Sequence, residues 1–190
     1  MKIASRMENL SPSVTMAITA LGRELKAQGK DILSFSAGEP DFNTPERIKE
    51  AAIQAIKDGH TKYTAVEGIT ETKQAIINKL KKDHNLDYKL DNIVISNGAK
   101  HSLFNLFQVL IEEGDEVIIP APYWVTYPEQ VKFSDGVPVF IETDDTTEFK
   151  ITAEQLKAAI TPKTKILLLN TPSNPTGAVY TKEELEEIAE

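Results

Sequence analysis

Ile166-Leu167-Leu168-Leu169-Asn170-Thr171-Pro172-Ser173-Asn174-Pro175-Thr176-Gly177 is the stretch on which the fold turns. Its apolar opening, bounded by turn formers, has the length of a buried strand, and Lys165 to Leu169 reads as a central-type one. Two prolines, an asparagine and a glycine then make a stiff loop at the strand's carboxyl end. Pro172 and Pro175 fix φ and push the residues before them toward extended backbone, so the Asn174 amide can be held at one point. Downstream, Thr181-Lys182-Glu183-Glu184 matches a capping box opening a helix with Leu185 and Ile188 toward the core. In open α/β sheets ligands sit beyond the carboxyl ends of the strands. A plain strand-to-helix turn accounts for the same residues, because asparagine is common between turn formers.

The same grammar runs upstream. Thr44-Pro45-Glu46 reads as an N-cap, a proline at the first helical position and an acid in the first turn. Ile48, Ala51, Ala52, Ala55 and Ile56 follow at helical spacing, with Gly59 as the stop. A second helix is expected from about Ile69 to Lys82, with Ala75, Ile76 and Leu80 inward and the lysines outward. Ile93-Val94-Ile95 reads as a short buried strand, and a helix after it carries Leu103, Leu106, Phe107 and Leu110 on one face. Glu116 to Ile119 is a strand, Pro120 to Pro122 a breaker, and Val137 to Ile141 a strand that Pro138 confines to an edge or a strand start. Ala153 to Ile160 is helical. Alternation at these spacings predicts an α/β fold with a mainly parallel sheet covered by helices. The last helix has no C-terminal cap or following strand, so residues are expected to continue past Glu190.

Composition excludes several classes. The 190 residues are 41% hydrophobic and 26% charged, with a net charge of −8 and no basic block, which argues against nucleic-acid or anionic-membrane partners. With no cysteine there is no disulfide framework, thiolate nucleophile or cysteine-based metal site. His60, His84 and His101 lack metal-ligand spacing and read as surface or loop residues, so no metal is expected. No apolar run approaches membrane-spanning length, and a cytoplasmic protein is the expectation.

Four loops bear on chemistry. In Ser36-Ala37-Gly38-Glu39-Pro40-Asp41-Phe42, Gly38 lets a ligand approach its backbone N–H. In Ser96-Asn97-Gly98-Ala99-Lys100, a helix begins whose free N–H groups suit a phosphate, although the glycine spacing is not that of a P-loop. Trp124, the only tryptophan, follows Pro120-Ala121-Pro122-Tyr123 and could offer a flat face to a planar ring or fill a core. The Asn174 loop is the fourth. Each alone fits an ordinary turn. Together, a phosphate cradle, a stacking ring, a fixed amide and a close-approach glycine suit a phosphorylated planar aromatic cofactor.

These motifs, with Lys62-Tyr63-Thr64, resemble in content and order the N-terminal part of a fold-type I, pyridoxal-phosphate-dependent aminotransferase of class I. Within that family the chain is most similar to the bacterial and plastid-type aspartate aminotransferases, some of which also use prephenate. The resemblance implies an N-terminal arm and small-domain segment over residues 1–43 and the first part of the large cofactor-binding domain over 44–190. It implies that Gly98, Ala99 and Lys100 hold the phosphate of pyridoxal 5'-phosphate and that Trp124 stacks on its ring and also contacts the substrate. Asn174 would donate to the phenolic oxygen and touch the substrate α-carboxylate, with Gly38 donating its N–H to that carboxylate. Tyr63 would reach the cofactor phosphate of a partner subunit, making a homodimer. Lys100, assisted by Ser13 and Thr15, would meet the distal carboxylate of aspartate, glutamate or prephenate. The Schiff-base lysine, and the arginine that clamps the α-carboxylate, are expected beyond Glu190, so no catalytic residue is assigned in this portion, which alone is expected to be inactive. The alternatives are an alanine, aromatic or kynurenine aminotransferase, or a truncated, non-catalytic fragment.

Overall fold

The structure, a computed structural model, describes residues 2–8, 10–35, 38 and 40–190. Of the first sequence motif, Ser36, Ala37 and Glu39 therefore lie outside the described residues. The chain divides into two compact units, one of residues 1–17 with 103–190 and the other of residues 18–102.

The first unit is built on a three-stranded parallel sheet. Its strands are β1 (Glu116–Ala121), β2 (Val137–Glu142) and β3 (Thr164–Leu167), in the order β2-β1-β3. Glu116 pairs with Val137 and Ala121 with Glu142, while Ile118 pairs with Leu167 after an irregularity at Glu116/Val117. The middle strand is thus β1, not the 165–169 segment, and β3 has a neighbour on one side only among the described residues. Edge and centre depend on which strands pair, which a strand's own residues do not encode. Pro138 does lie near the start of an edge strand, as its missing N–H requires. Pro120 falls inside β1 rather than ending it. The β3 register stops at Ile118, so on that side no rung is there for Pro120 to break.

Successive β1 side chains point to opposite faces of the sheet. Val117 and Ile119 join Phe107, Ile111, Tyr127, Val131 and Leu168 in one core cluster. Ile118 joins Ile141, Ile151, Leu156 and Tyr180 in the other. The first layer comes from α4 (Ala99–Leu110) and α5 (Thr126–Phe133), and Leu156 of the second from α6 (Ala153–Ala159). Burial on both faces explains the unbroken Val-Ile-Ile run of β1, each residue contributing about 1.5–3 kcal/mol. On α4 the buried stripe is narrower than expected: Phe107 is fully enclosed, but Leu106 and Leu110 remain exposed. Phe104 and Ile111 serve instead, the Phe104 ring lying 5.6 Å from that of Phe133.

The last helix, α7 (Lys182–Ala189), carries the capping box: Thr181 Oγ1 accepts from the Glu184 N–H and Glu184 Oε2 from the Thr181 N–H. Lys150, its side chain 12% exposed, reaches Glu184 at 2.6 Å and Glu148 at 2.9 Å. The Lys150 ammonium, with the Thr181 N–H, holds the Glu184 carboxyl below its ordinary 4.5, and Glu184, with Glu148, holds Lys150 above its ordinary 10.5. A carboxyl whose pKa is depressed by folding stabilises the protein above its unfolded value and loses that contribution as pH falls through the folded value. Lys150→Met is therefore expected to lower the melting temperature at neutral pH. The gap to wild type should close as pH drops below 4.5. A gap that persists in acid would show the loss to be one of packing alone.

The second unit holds α2 (Glu46–Lys57), α3 (Thr70–His84) and most of α1 (Val14–Ala27). Pro45, not Thr44, is the N-cap of α2, and no side chain caps it. Gly59, at φ +82°, ends the helix as expected. α3 runs two residues beyond Lys82 and stops where Asn85 turns left-handed at φ 55°. Lys73 contradicts the outward placement of the lysines: it is buried, its ammonium 3.7 Å from Glu67. Lys73, Ile76 and Leu80 share one i, i+3, i+7 stripe, so the lysine stem is covered with its neighbours. Ala75, expected inward, is exposed. Ile93 to Ile95 forms no ladder with any described strand, and Val94 is exposed. An apolar run becomes a strand only where a partner supplies its hydrogen bonds.

Candidate functional site

β1 and β3 run parallel, so the loops that follow them leave the same edge of the sheet. Pro122 and Tyr123 after β1 meet Asn170, Ser173 and Asn174 after β3 around a small cavity of about 20 Å³. Tyr123 stacks on Phe140 of β2, with ring centres 4.9 Å apart and planes at 14°. Trp124 stands half-buried against the core, edge-on to Tyr127 at 5.4 Å. Trp124 thus packs on the core, as one of the two readings expects, and retains exposed surface.

The Asn174 loop is closed on itself. Gly177 donates its N–H to the Ser173 carbonyl at 2.8 Å, Ser173 donates to the Ala178 carbonyl at 2.9 Å, and Gly177 sits at φ +76°. The bonds before Pro172 and Pro175 are both cis. Asn174 donates its own backbone N–H to Asn170 Oδ1 at 2.9 Å. Its side chain is exposed, and the amide makes no hydrogen bond among the described residues. An amide on a pinned backbone with its own donors and acceptor unspent is available to a ligand. Asn170 was not singled out by sequence. The available signal was an asparagine at the head of a proline-rich turn, a setting where its side chain takes a nearby backbone N–H.

The remaining residues belong to the second unit or to the start of the first. Gly98 has φ +83°, and a Cβ built on it meets no atom within 4 Å. α4 starts at the next residue, with the His101 and Ser102 N–H groups turned back to the Gly98 carbonyl. The first N–H groups of a helix have no intrahelical acceptor, and Ala99 and Lys100 occupy those positions on α4. His101 is exposed, as are His60 and His84; its Nδ1 accepts the Asn97 N–H at 3.2 Å, which steadies the turn before the helix. His84 and His101 lie in helices rather than loops. Gly38 too has no atom within 4 Å of a Cβ position, and Tyr63 is fully exposed. Ser13 caps α1, its Oγ accepting the Met16 N–H at 3.3 Å, and Thr15 is half-buried in the first turn. Among the described residues no group of three acidic or histidine side chains could hold a metal, and no helix is long and apolar enough to cross a membrane.

The profile of the family described as "Aminotransferase class I and II" matches residues 30–190. The chain belongs to that family. It is 59% identical over 187 residues to an aspartate aminotransferase of Bacillus sp. (strain YM-2), covering 98% of this chain and 48% of that protein. It is 52% identical over 186 residues to an aspartate/prephenate aminotransferase of Nitrosomonas europaea, covering 98% and 47%. Among solved structures, aspartate aminotransferase from Thermus thermophilus with maleate superposes at a TM-score of 0.95, with 45% identity over all of this chain and 50% of that one. The chain spans about half the length of the curated relatives it matches. Aminotransferases of this family generally depend on pyridoxal phosphate. The α/β fold with its parallel sheet agrees with the structural relatives.

Proposed function

We propose that this chain frames the cofactor of an aspartate aminotransferase, which moves an amino group between L-aspartate and 2-oxoglutarate with pyridoxal 5'-phosphate. The observation that carries the reading is the Asn174 loop, pinned by Asn170 beside the Tyr123-Trp124 loop with its amide unspent. The residues fit the group. Gly98 at positive φ and the start of α4 present backbone donors to a phosphate, and Trp124 retains exposed surface for a planar ring. Bound pyridoxal phosphate supplies the electron sink that makes the α-proton of an amino acid removable.

In this reading Asn174 donates to the cofactor's phenolic oxygen and holds the substrate α-carboxylate, to which Gly38 also donates its N–H. Lys100, with Ser13 and Thr15, receives the distal carboxylate of aspartate, glutamate or prephenate. No lysine of residues 1–190 is assigned the covalent role. Residues 1–43 form the arm and small-domain segment and 44–190 the first part of the large domain. The enzyme is a cytoplasmic homodimer, Tyr63 serving the partner's phosphate; its full exposure here supports that role.

Lys100 tests the substrate class. A hydrogen bond to a charged group contributes about 1.5–3 kcal/mol, and roughly 1.4 kcal/mol is tenfold. In the full-length protein, Lys100→Ala is expected to lower kcat/KM for aspartate by about 10- to 100-fold and for alanine by less than about threefold. Equal losses for the two substrates would make Lys100 a phosphate-binding or structural residue. Conversion by alanine but not by aspartate or glutamate in the wild type would replace the dicarboxylate reading with an alanine-type one.

A further inference from the structure

Glu129 lies in the first turn of α5, and its carboxylate is engaged on both oxygens. Oε1 takes the Lys132 ammonium at 3.1 Å. Oε2 accepts the backbone N–H of Ser11 at 2.8 Å, a bond that joins residues 118 apart in sequence. The Glu129 side chain is 24% exposed, while Ser11 and the bond between them face solvent. Nothing in the family motifs or in the cofactor contacts uses this residue.

The connection runs onward through stiff covalent links. Pro12 follows Ser11, fixing φ and offering no N–H of its own. Ser13 follows Pro12 and caps α1: its Oγ accepts from Met16, and its carbonyl accepts from Ala17 at 3.1 Å. Thr15 sits in the turn so begun. Between this segment and α5 lies a hollow of about 320 Å³, lined by Ser11, Ser13, Val14, Tyr123, Thr126 and Glu129. Ser13 and the residue preceding Trp124 therefore share one wall-to-wall space. A charge-assisted hydrogen bond ties the backbone just before α1 to α5 across that space, and the Ser5–Met7 turn packs on the same helix.

We propose that Glu129 is a positioning residue for dicarboxylate selectivity: it holds the Ser11 N–H and so places the Ser13 and Thr15 hydroxyls. The inference rests on the substrate reading above. Lys132 matters to it, because the ion pair keeps the Glu129 charge from opposing an anionic substrate group. Glutamate suits the task because its reach spans the gap from α5 and its second oxygen remains for the lysine.

The test uses the full-length protein carrying this chain, in Glu129→Ala and Glu129→Gln forms, with two readouts. Hydrogen exchange of peptides spanning Ser11 should quicken at least tenfold in Glu129→Ala and stay within about threefold of wild type in Glu129→Gln, whose amide oxygen still accepts. KM for aspartate should rise by about tenfold in Glu129→Ala with kcat within about twofold, while kcat/KM for alanine changes by less than about threefold. Glu129→Gln should recover most of the aspartate affinity. Should Glu129→Ala be insoluble, Glu129→Asp, one methylene shorter, carries the same expectations. Unchanged exchange at Ser11 overturns the proposal, as do equal losses for aspartate and alanine. A wild type that does not prefer aspartate to alanine overturns the substrate reading and this inference together. A wild type with that preference, and a Glu129→Ala variant that keeps it, overturns the inference alone.

Discussion

Asn174→Ala in the full-length protein is expected to lower kcat/KM for aspartate by at least roughly a hundredfold. On the proposed reading, two hydrogen bonds to charged or partly charged oxygens would disappear together, each contributing about 1.5–3 kcal/mol, with no substitute among the described neighbouring groups. The Ser173 and Gly177 N–H groups are spent within the loop, and Asn170 is occupied with the Asn174 backbone. A second signature accompanies the kinetic loss. On that reading the phenolic oxygen of the cofactor, deprived of a donor, would hold a proton more tightly, so the pH at which the cofactor's visible absorbance titrates is expected to move upward. Asn170→Ala produces a smaller version of both effects, because it frees the loop without removing the amide. Unchanged kcat/KM and an unmoved titration in Asn174→Ala would take that residue out of the site.

Phe107→Ala destabilises the fold by about 3–5 kcal/mol, a large share of the roughly 5–15 kcal/mol that holds a domain together. The ring is fully buried and belongs to the cluster with Val117, Ile119 and Val131, under the middle strand of the sheet. Deleting it leaves a void against a strand held on both sides, which cannot collapse far to fill the space. Denaturant unfolding gives the check: the midpoint falls while the slope stays the same. Val109→Ala, on the same helix but exposed, shifts stability by no more than about 0.5 kcal/mol. Equal effects at the two positions would mean that α4 does not pack on the sheet as described.

Some of this molecule is plain in its residues. Gly59 ends α2, Thr181 and Glu184 open α7, and Pro138 keeps β2 at an edge. Each is a local effect: a left-handed backbone, a reciprocal pair of hydrogen bonds, a missing N–H. Ile93 to Ile95 shows the limit of such signals, since its apolar pattern suits a strand but no described strand pairs with it. Lys73 shows another, because a long apolar stem and a charged tip leave its burial to whatever covers the stripe it shares with Ile76 and Leu80. The candidate site divides in the same way. Trp124, Gly98 and Asn174 stand out by residue type and setting, whereas Asn170 and Glu129 are known only by what they touch.

From sequence alone follow α2, α3, α4, α6 and α7, the three paired strands, the parallel α/β sheet and the family resemblance, but not α1 or α5. Periodicity, capping and turn chemistry act over a few residues, and the motifs keep their spacing along the chain. Tertiary structure alone decided that β1 is the middle strand, that Asn170 pins Asn174, and that Glu129 reaches Ser11. Those choices rest on hydrogen bonds whose partners are selected by folding, and a partner 118 residues away leaves no mark on the local pattern of either residue.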